Sequence, residues 1–244
     1  MSRQGGSVKE KLKSYKRTPG SFIVMLLVLL AAIITFAALL FLIAYILVNG
    51  VPYLKPSLFS FTYTSDNASL MPALINTLIM TALSLLIAVP LGIFSAIYLV
   101  EYAKRGNKFV EIIRLTTETL QGIPSIVYGL FGMLFFVTFC HWGFSILAGA
   151  FTLSIMVLPL IMRSTEEALK SVPDSYREGS FGLGAGKLRT VFRIVLPSAV
   201  PGILAGVILA VGRIVGETAA LIYTAGTLAK MPKNVMSSGR TLAV

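Results

Sequence analysis

Arg213 and Glu217 are the residues with the most chemistry to offer. They are the only charges inside any apolar run long enough to span a membrane. On insertion scales a charge at the centre of a spanning helix costs about 2.5–3.5 kcal/mol, so a charge placed there calls for a partner or a task. Arg213 lies about 22 Å along a helix that starts at Ser198, which is past a bilayer midplane. Spaced four apart on one continuous helix, the two side chains share a face and can pair. Two readings follow. They form a structural ion pair that fixes helix packing, or they line a substrate path.

Catalysis finds little support. A membrane-embedded enzyme would want paired acids, a Ser/His pair or metal ligands inside the spans, and only one acid is there. His141 is the single histidine and Cys140 the single cysteine, so no zinc set and no intrachain disulfide is expected. A G-x-x-x-x-G-K-[ST] phosphate loop is absent, so any nucleotide chemistry belongs to another subunit. No cofactor is expected.

These side chains must be positioned by membrane helices. The chain has 244 residues, 56% of them hydrophobic and 13% charged, more apolar surface than a soluble domain can hide. An all-α, polytopic membrane protein is the expected fold class. The first span is 21–48, an uncharged run too long for a cleaved leader and closed by Asn49, Gly50 and Pro52. The second is Asn76 to Leu99, with a kink expected at Pro90 and Gly92. Residues 119–162 carry no charge and are twice a single span. They must fold back, with Cys140-His141-Trp142-Gly143 as the turn, giving a third span at 119–139 and a fourth at 144–162. Gln121-Gly122-Ile123-Pro124-Ser125 predicts a bend at the start of the third. The fifth runs from Ser198 to Tyr223, where Gly202/Gly206 and Gly212/Gly216 have the spacing that lets helices approach closely.

Net charge is +11, and its distribution points to orientation rather than to nucleic acid. Residues 1–20 form a basic tail with six Lys/Arg, segment 101–118 holds four and segment 163–197 six. The intervening segments hold one (Lys55) and none. Basic loops stay in the cytoplasm, so the N-terminus is expected to be cytoplasmic and the tail 224–244 extracytoplasmic.

The polar segment 163–197 predicts a compact knob on the cytoplasmic side. Ser175 and Glu178 have capping-box spacing, so a short helix is expected to start there. Gly182 and Gly184 would end it. A second short helix is expected from Lys187 to Val195, stopping before Pro197.

This segment also carries a resemblance. Glu178-Gly179-Ser180, then Gly184, then Ile194, Leu196 and Pro197, resembles the EAA loop of ABC importer permeases, with the two alanines replaced by Gly179 and Ser180. The run Gly212-Arg213-Ile214-Val215-Gly216-Glu217-Thr218-Ala219 resembles the signature of phosphate permeases. So do Gly122 to Gly129 and Glu166 to Pro173, and the wording is closer to the PstA-type than to the PstC-type subunit. The resemblance implies a type I ABC importer permease bundle, with a core at 72–223 and segment 163–197 as its coupling loop. It implies Arg213, Glu217 and Thr218 on the path of inorganic phosphate. Its implied partners are a dimer of ATP-binding subunits, a second, PstC-type permease, an extracytoplasmic phosphate-binding protein and membrane lipid, in a bacterial-type inner membrane. It also implies a sixth helix, which this sequence stops short of, so a truncated chain is expected; a true five-span protein is the alternative. Rival readings are a permease for sulfate or molybdate, and a passive anion channel that would need no knob.

Overall fold

The computed structural model describes residues 19–61, 63, 69–104 and 106–244. Most of the basic tail, and Arg105, lie outside the described residues. Every regular element among the described residues is helical. They fall into two units, residues up to Lys55 and Pro56–Val244.

The first unit is one helix, α1 (Pro19–Gly50). No proline or glycine interrupts residues 21–49, and the helix is apolar on all sides and exposed. A helix of that kind suits lipid. Two of its polar side chains bond back to the helix: Thr35 donates to Ala31 O and Asn49 to Tyr45 O, both at 2.8 Å. It ends at Gly50, followed by a tight turn at Val51–Tyr53 that contains Pro52.

The second unit is a bundle built around one central helix. Its elements are α2 (Met71–Ile97), α3 (Lys108–Gln121), α4 (Ser125–Gly132), α5 (Ile146–Ser171), α6 (Asp174–Gly182), α7 (Lys187–Thr190), α8 (Leu196–Val215) and α9 (Ala219–Thr224). Helices α2, α3, α4, α8 and α9 all pack on α5, which buries Ile146, Leu153, Met156, Val157, Ile161 and Leu169. Small residues set the distances. Helices α2 and α5 run parallel, and the hydroxyls of Ser84 and Ser154 donate across to carbonyls of Ala150 and Ser84, at 3.1 and 3.2 Å. Further along, a Cβ at Gly92 would lie 2.7 Å from Ile161. Helix α8 runs antiparallel to α5, with Gly202 against Ala168 and Gly206 against Ser164, so the first glycine pair packs helices as expected. Gly212 meets no neighbour, so the second pair does not.

Among the described residues four helices are long and apolar enough to cross a membrane, and α3 with α4 would make a fifth if that bent pair is one span. The bend is 102° and falls at Gly122–Pro124, inside the run where the sequence predicts it. Helix α3 departs from expectation, because residues 108–118 read as a polar segment. Asn107 caps it by accepting from Phe109 N at 3.0 Å. Its charged face meets the charged end of α5, with Arg114 on Glu166 at 2.8 Å and Glu118 on Arg163 at 3.3 Å. Phe109, Ile112 and Leu115 point outward.

At the other end, Cys140 to Gly143 make the expected turn, with positive φ at His141 and Gly143. Trp142 stacks on Phe136 there, with centroids 5.3 Å apart. The segment after α9 folds over the same end. The first amides of a helix have no intrahelical acceptor, and here Ile146 N donates to Ser237 O and Leu147 N to Val235 O, at 3.0 and 2.9 Å. The buried Asn76 amide donates to Arg240 O at 3.0 Å, and Leu242 N donates to Thr77 Oγ1 at 3.0 Å.

Two boundary expectations are corrected. Helix α6 begins at Asp174 after Pro173, and Ser175 makes no capping bond, because Pro173 already sets the start. The helix from Lys187 does not stop before Pro197: it continues to Val215. A wide, π-type turn at Val191–Val195 adds room before the proline, whose ring would otherwise meet the carbonyl four residues back.

Candidate functional site

Helices α6 and α7 form the knob, opposite the end covered by the C-terminal segment. Gly184 closes α6 at φ +79°, a left-handed conformation that glycine takes without strain. Gly184 N donates to Phe181 O at 2.9 Å and Ala185 N to Ser180 O at 3.1 Å. Ser180 is buried, and its hydroxyl meets that of Thr190 at 2.8 Å, so the residue standing for an alanine ties the two short helices together. Glu178 and Gly179 are exposed on the outer face, as is Pro197, while Ile194 and Leu196 are half-buried. Tyr176, Phe181, Leu183 and Leu188 are exposed apolar side chains at the tip, Leu183 by 91%. An apolar tip flanked by Arg189 and Arg193 is a surface that gains from being covered.

The second site is where the fifth span breaks. The sequence predicts one helix from Ser198 to Tyr223. The structure ends α8 at Val215 and starts α9 at Ala219. Glu217 explains the restart: its Oε1 accepts from Ala220 N at 3.1 Å, capping α9. Thr218 is exposed, and its carbonyl accepts from Leu221 N and Ile222 N. The expected pairing of Arg213 with Glu217 is therefore corrected. The helix breaks between them, and the described ion pairs do not include them. Arg213 sits half-buried in the last turn of α8, where a cation complements the helix dipole. Among the described residues its guanidinium has no hydrogen-bond or ion-pair partner.

Helix α4 supplies the facing wall. Tyr128 is buried and donates to Leu120 O at 2.8 Å. A Cβ at Gly129 would lie 2.8 Å from the Ala220 Cα, so α4 and α9 touch backbone to backbone. The fold thus brings together the runs 122–129 and 212–219, which are far apart in sequence. Tyr128 was legible only as a member of its run. Arg177, Glu101 and the break at Gly216 escaped sequence reading; Gly216 followed by an acid and a threonine was the available signal for a helix end and restart. No group of three His, Cys, Asp or Glu that could hold a metal occurs among the described residues.

An all-α bundle with several helices long and apolar enough to cross a bilayer defines a polytopic membrane protein. Residues 88–239 match the binding-protein-dependent transport system inner membrane component family, and the chain belongs to that family, a family of permease subunits and not of enzymes. It is 41% identical over 202 residues to the probable ABC transporter permease protein YqgI of Bacillus subtilis (strain 168), covering 81% of this chain and 67% of that protein. It is 40% identical over 154 residues to the phosphate transport system permease protein PstA 1 of Mycobacterium tuberculosis (strain ATCC 25618 / H37Rv), covering 63% of this chain and 49% of that one. The likeness to PstA of Mycobacterium leprae is 41% over 160 residues, covering 63% and 50%. The chain spans two thirds of the first relative and about half of the other two.

Proposed function

We propose that this chain is a permease subunit of an ATP-driven importer of inorganic phosphate, and that it forms part of the path the anion takes. The observation that carries the reading is Arg213: a half-buried guanidinium with no hydrogen-bond or ion-pair partner among the described residues, in the last turn before a helix break, within one of the two runs that resemble phosphate permeases. A compact oxyanion supplies the acceptors that this group lacks. Because Glu217 is engaged as a cap, the positive charge is left for the anion. Thr218, exposed beside the break, offers a hydroxyl to the same path. The names of the mycobacterial relatives favour phosphate over sulfate or molybdate.

In this reading the knob, with Glu178, Gly179, Ser180, Gly184, Ile194, Leu196 and Pro197, lies in the cytoplasm and docks on a dimeric ATP-binding subunit. A second, PstC-type permease completes the path, and an extracytoplasmic phosphate-binding protein delivers the anion. The N-terminus is cytoplasmic, and the membrane is a bacterial-type inner membrane. The test is ATP-dependent uptake of labelled phosphate by the full complex in proteoliposomes. Arg213→Ala should abolish uptake while the complex still assembles. Unchanged uptake in that variant refutes the reading. Uptake of labelled sulfate or molybdate by the same complex, with none of phosphate, reassigns the substrate.

A further inference from the structure

We infer that Arg177 is the positioning residue that fastens the knob to the bundle, with Glu101 at the end of α2 as its anchor; this rests on the knob being the docking element for an ATP-binding subunit. Arg177 is 15% and Glu101 7% exposed. The guanidinium donates to Glu101 Oε1 through Nη2 at 2.7 Å and through Nε at 3.2 Å. Nη2 also donates to Leu169 O at 2.9 Å, and Nη1 to Val172 O at 2.8 Å and to Asp174 Oδ1 at 3.2 Å. The need for these bonds is local. Leu169 O would take its helical hydrogen bond from residue 173, which is a proline without an N–H. From the backbone Leu169 O receives only a long bond, from Val172 N at 3.4 Å, so Arg177 supplies its shorter one and brings a cation to the C-terminal end of α5, where the dipole favours one.

A second contact joins the other half of the knob to the same place. Glu101 and Tyr102 belong to a wide turn at Tyr98–Tyr102 that extends α2, and Lys187 Nζ lies 5.1 Å above the Tyr102 ring. Both short helices thus hold the end of α2, and Arg177 also holds the end of α5. Those two helices are packed in parallel with hydroxyl bonds between them. Displacing the knob therefore moves α2 and α5 together, and α5 carries the remaining helices of the bundle.

The experiment uses the full complex in proteoliposomes and reads three quantities: ATP-binding subunit retained, ATP hydrolysed and phosphate taken up. Glu101→Gln keeps the shape of the anchor and leaves the carbonyl bonds of Arg177 in place. It should retain the ATP-binding subunit and hydrolyse ATP, while uptake per ATP falls about tenfold, the shift expected when one charge-assisted hydrogen bond leaves a two-state docking equilibrium. Arg177→Met should fall further, and Tyr102→Leu less. Wild-type uptake per ATP in Glu101→Gln and Arg177→Met overturns the inference. So does loss of assembled complex with normal uptake per ATP in what remains, because that is the behaviour of a packing contact alone. Failure of the unaltered chain to retain any ATP-binding subunit is a different result, which removes the docking reading and this inference with it.

Discussion

Glu217→Gln separates a helix cap from an ion pair. Glu217 is 8% exposed and accepts one hydrogen bond, from Ala220 N at 3.1 Å. Glutamine places a carbonyl oxygen in the same position, so the cap survives. The loss is the attraction of a charge for the start of a short helix, about 0.3–1 kcal/mol. Removing a buried charge that has no cation offsets part of it. Glu217→Leu removes the acceptor and should cost about 0.5–2 kcal/mol. An Arg213–Glu217 pair would make even the glutamine variant cost up to about 3–5 kcal/mol, since it strands a half-buried guanidinium inside an apolar bundle. For a chain of this size a kcal/mol moves the melting midpoint by about 2–4 °C. The expected shifts are then at most about 4 °C for glutamine, less that offset, and about 1–8 °C for leucine, against about 6–20 °C for a broken pair. The assay is thermal unfolding of the purified complex in detergent, followed by loss of the monodisperse peak. A glutamine variant that melts as low as the leucine variant refutes the cap and restores the pair.

Arg213→Lys keeps the charge but loses the planar paired donors, so uptake per assembled complex should stay well below wild type; full activity would show that sign alone matters. Gly184→Val forces a β-branched residue to φ +79°, at a cost of about 1–2 kcal/mol, and should release the ATP-binding subunit or uncouple it. Wild-type transport in that variant rules out a shaped elbow. Gly129→Ala presses a Cβ to 2.8 Å from the Ala220 Cα and should cost about 1–3 kcal/mol. Gly212→Ala, with nothing within 4 Å, should stay within about 0.5 kcal/mol. Equal melting of the two glycine variants would refute the backbone contact between α4 and α9.

What the sequence made legible is what depends on short-range rules. Uncharged length marked the spans, Gly122 to Pro124 marked the bend, and Gly184 marked the close of α6, since each is a property of the residues themselves. What stayed hidden depends on partners distant in the chain. Helix α3 looks like a polar loop until α5 supplies Glu166 and Arg163 to meet its charged face. Helical spacing suggested a pair at Arg213 and Glu217, but that inference holds only while the helix is unbroken. The Glu217 carboxylate found a nearer donor in a backbone amide. Pro197 was read as a stop because a proline usually is one; the wide turn at Val191–Val195 gives it room instead.

The segment that covers the starts of α2 and α5 sets a timetable for biogenesis. Asn76 and the Arg240 carbonyl that satisfies it are separated by 164 residues. At ribosomal speeds of roughly 5–20 residues per second, that stretch takes roughly 8–30 s to make. Through that interval α2 is already available for insertion while its buried amide waits for an acceptor. The first amides of α5 wait as well, for Val235 and Ser237. Water or an insertion factor must serve these groups until residues 235–240 are made, so this end of the bundle locks late.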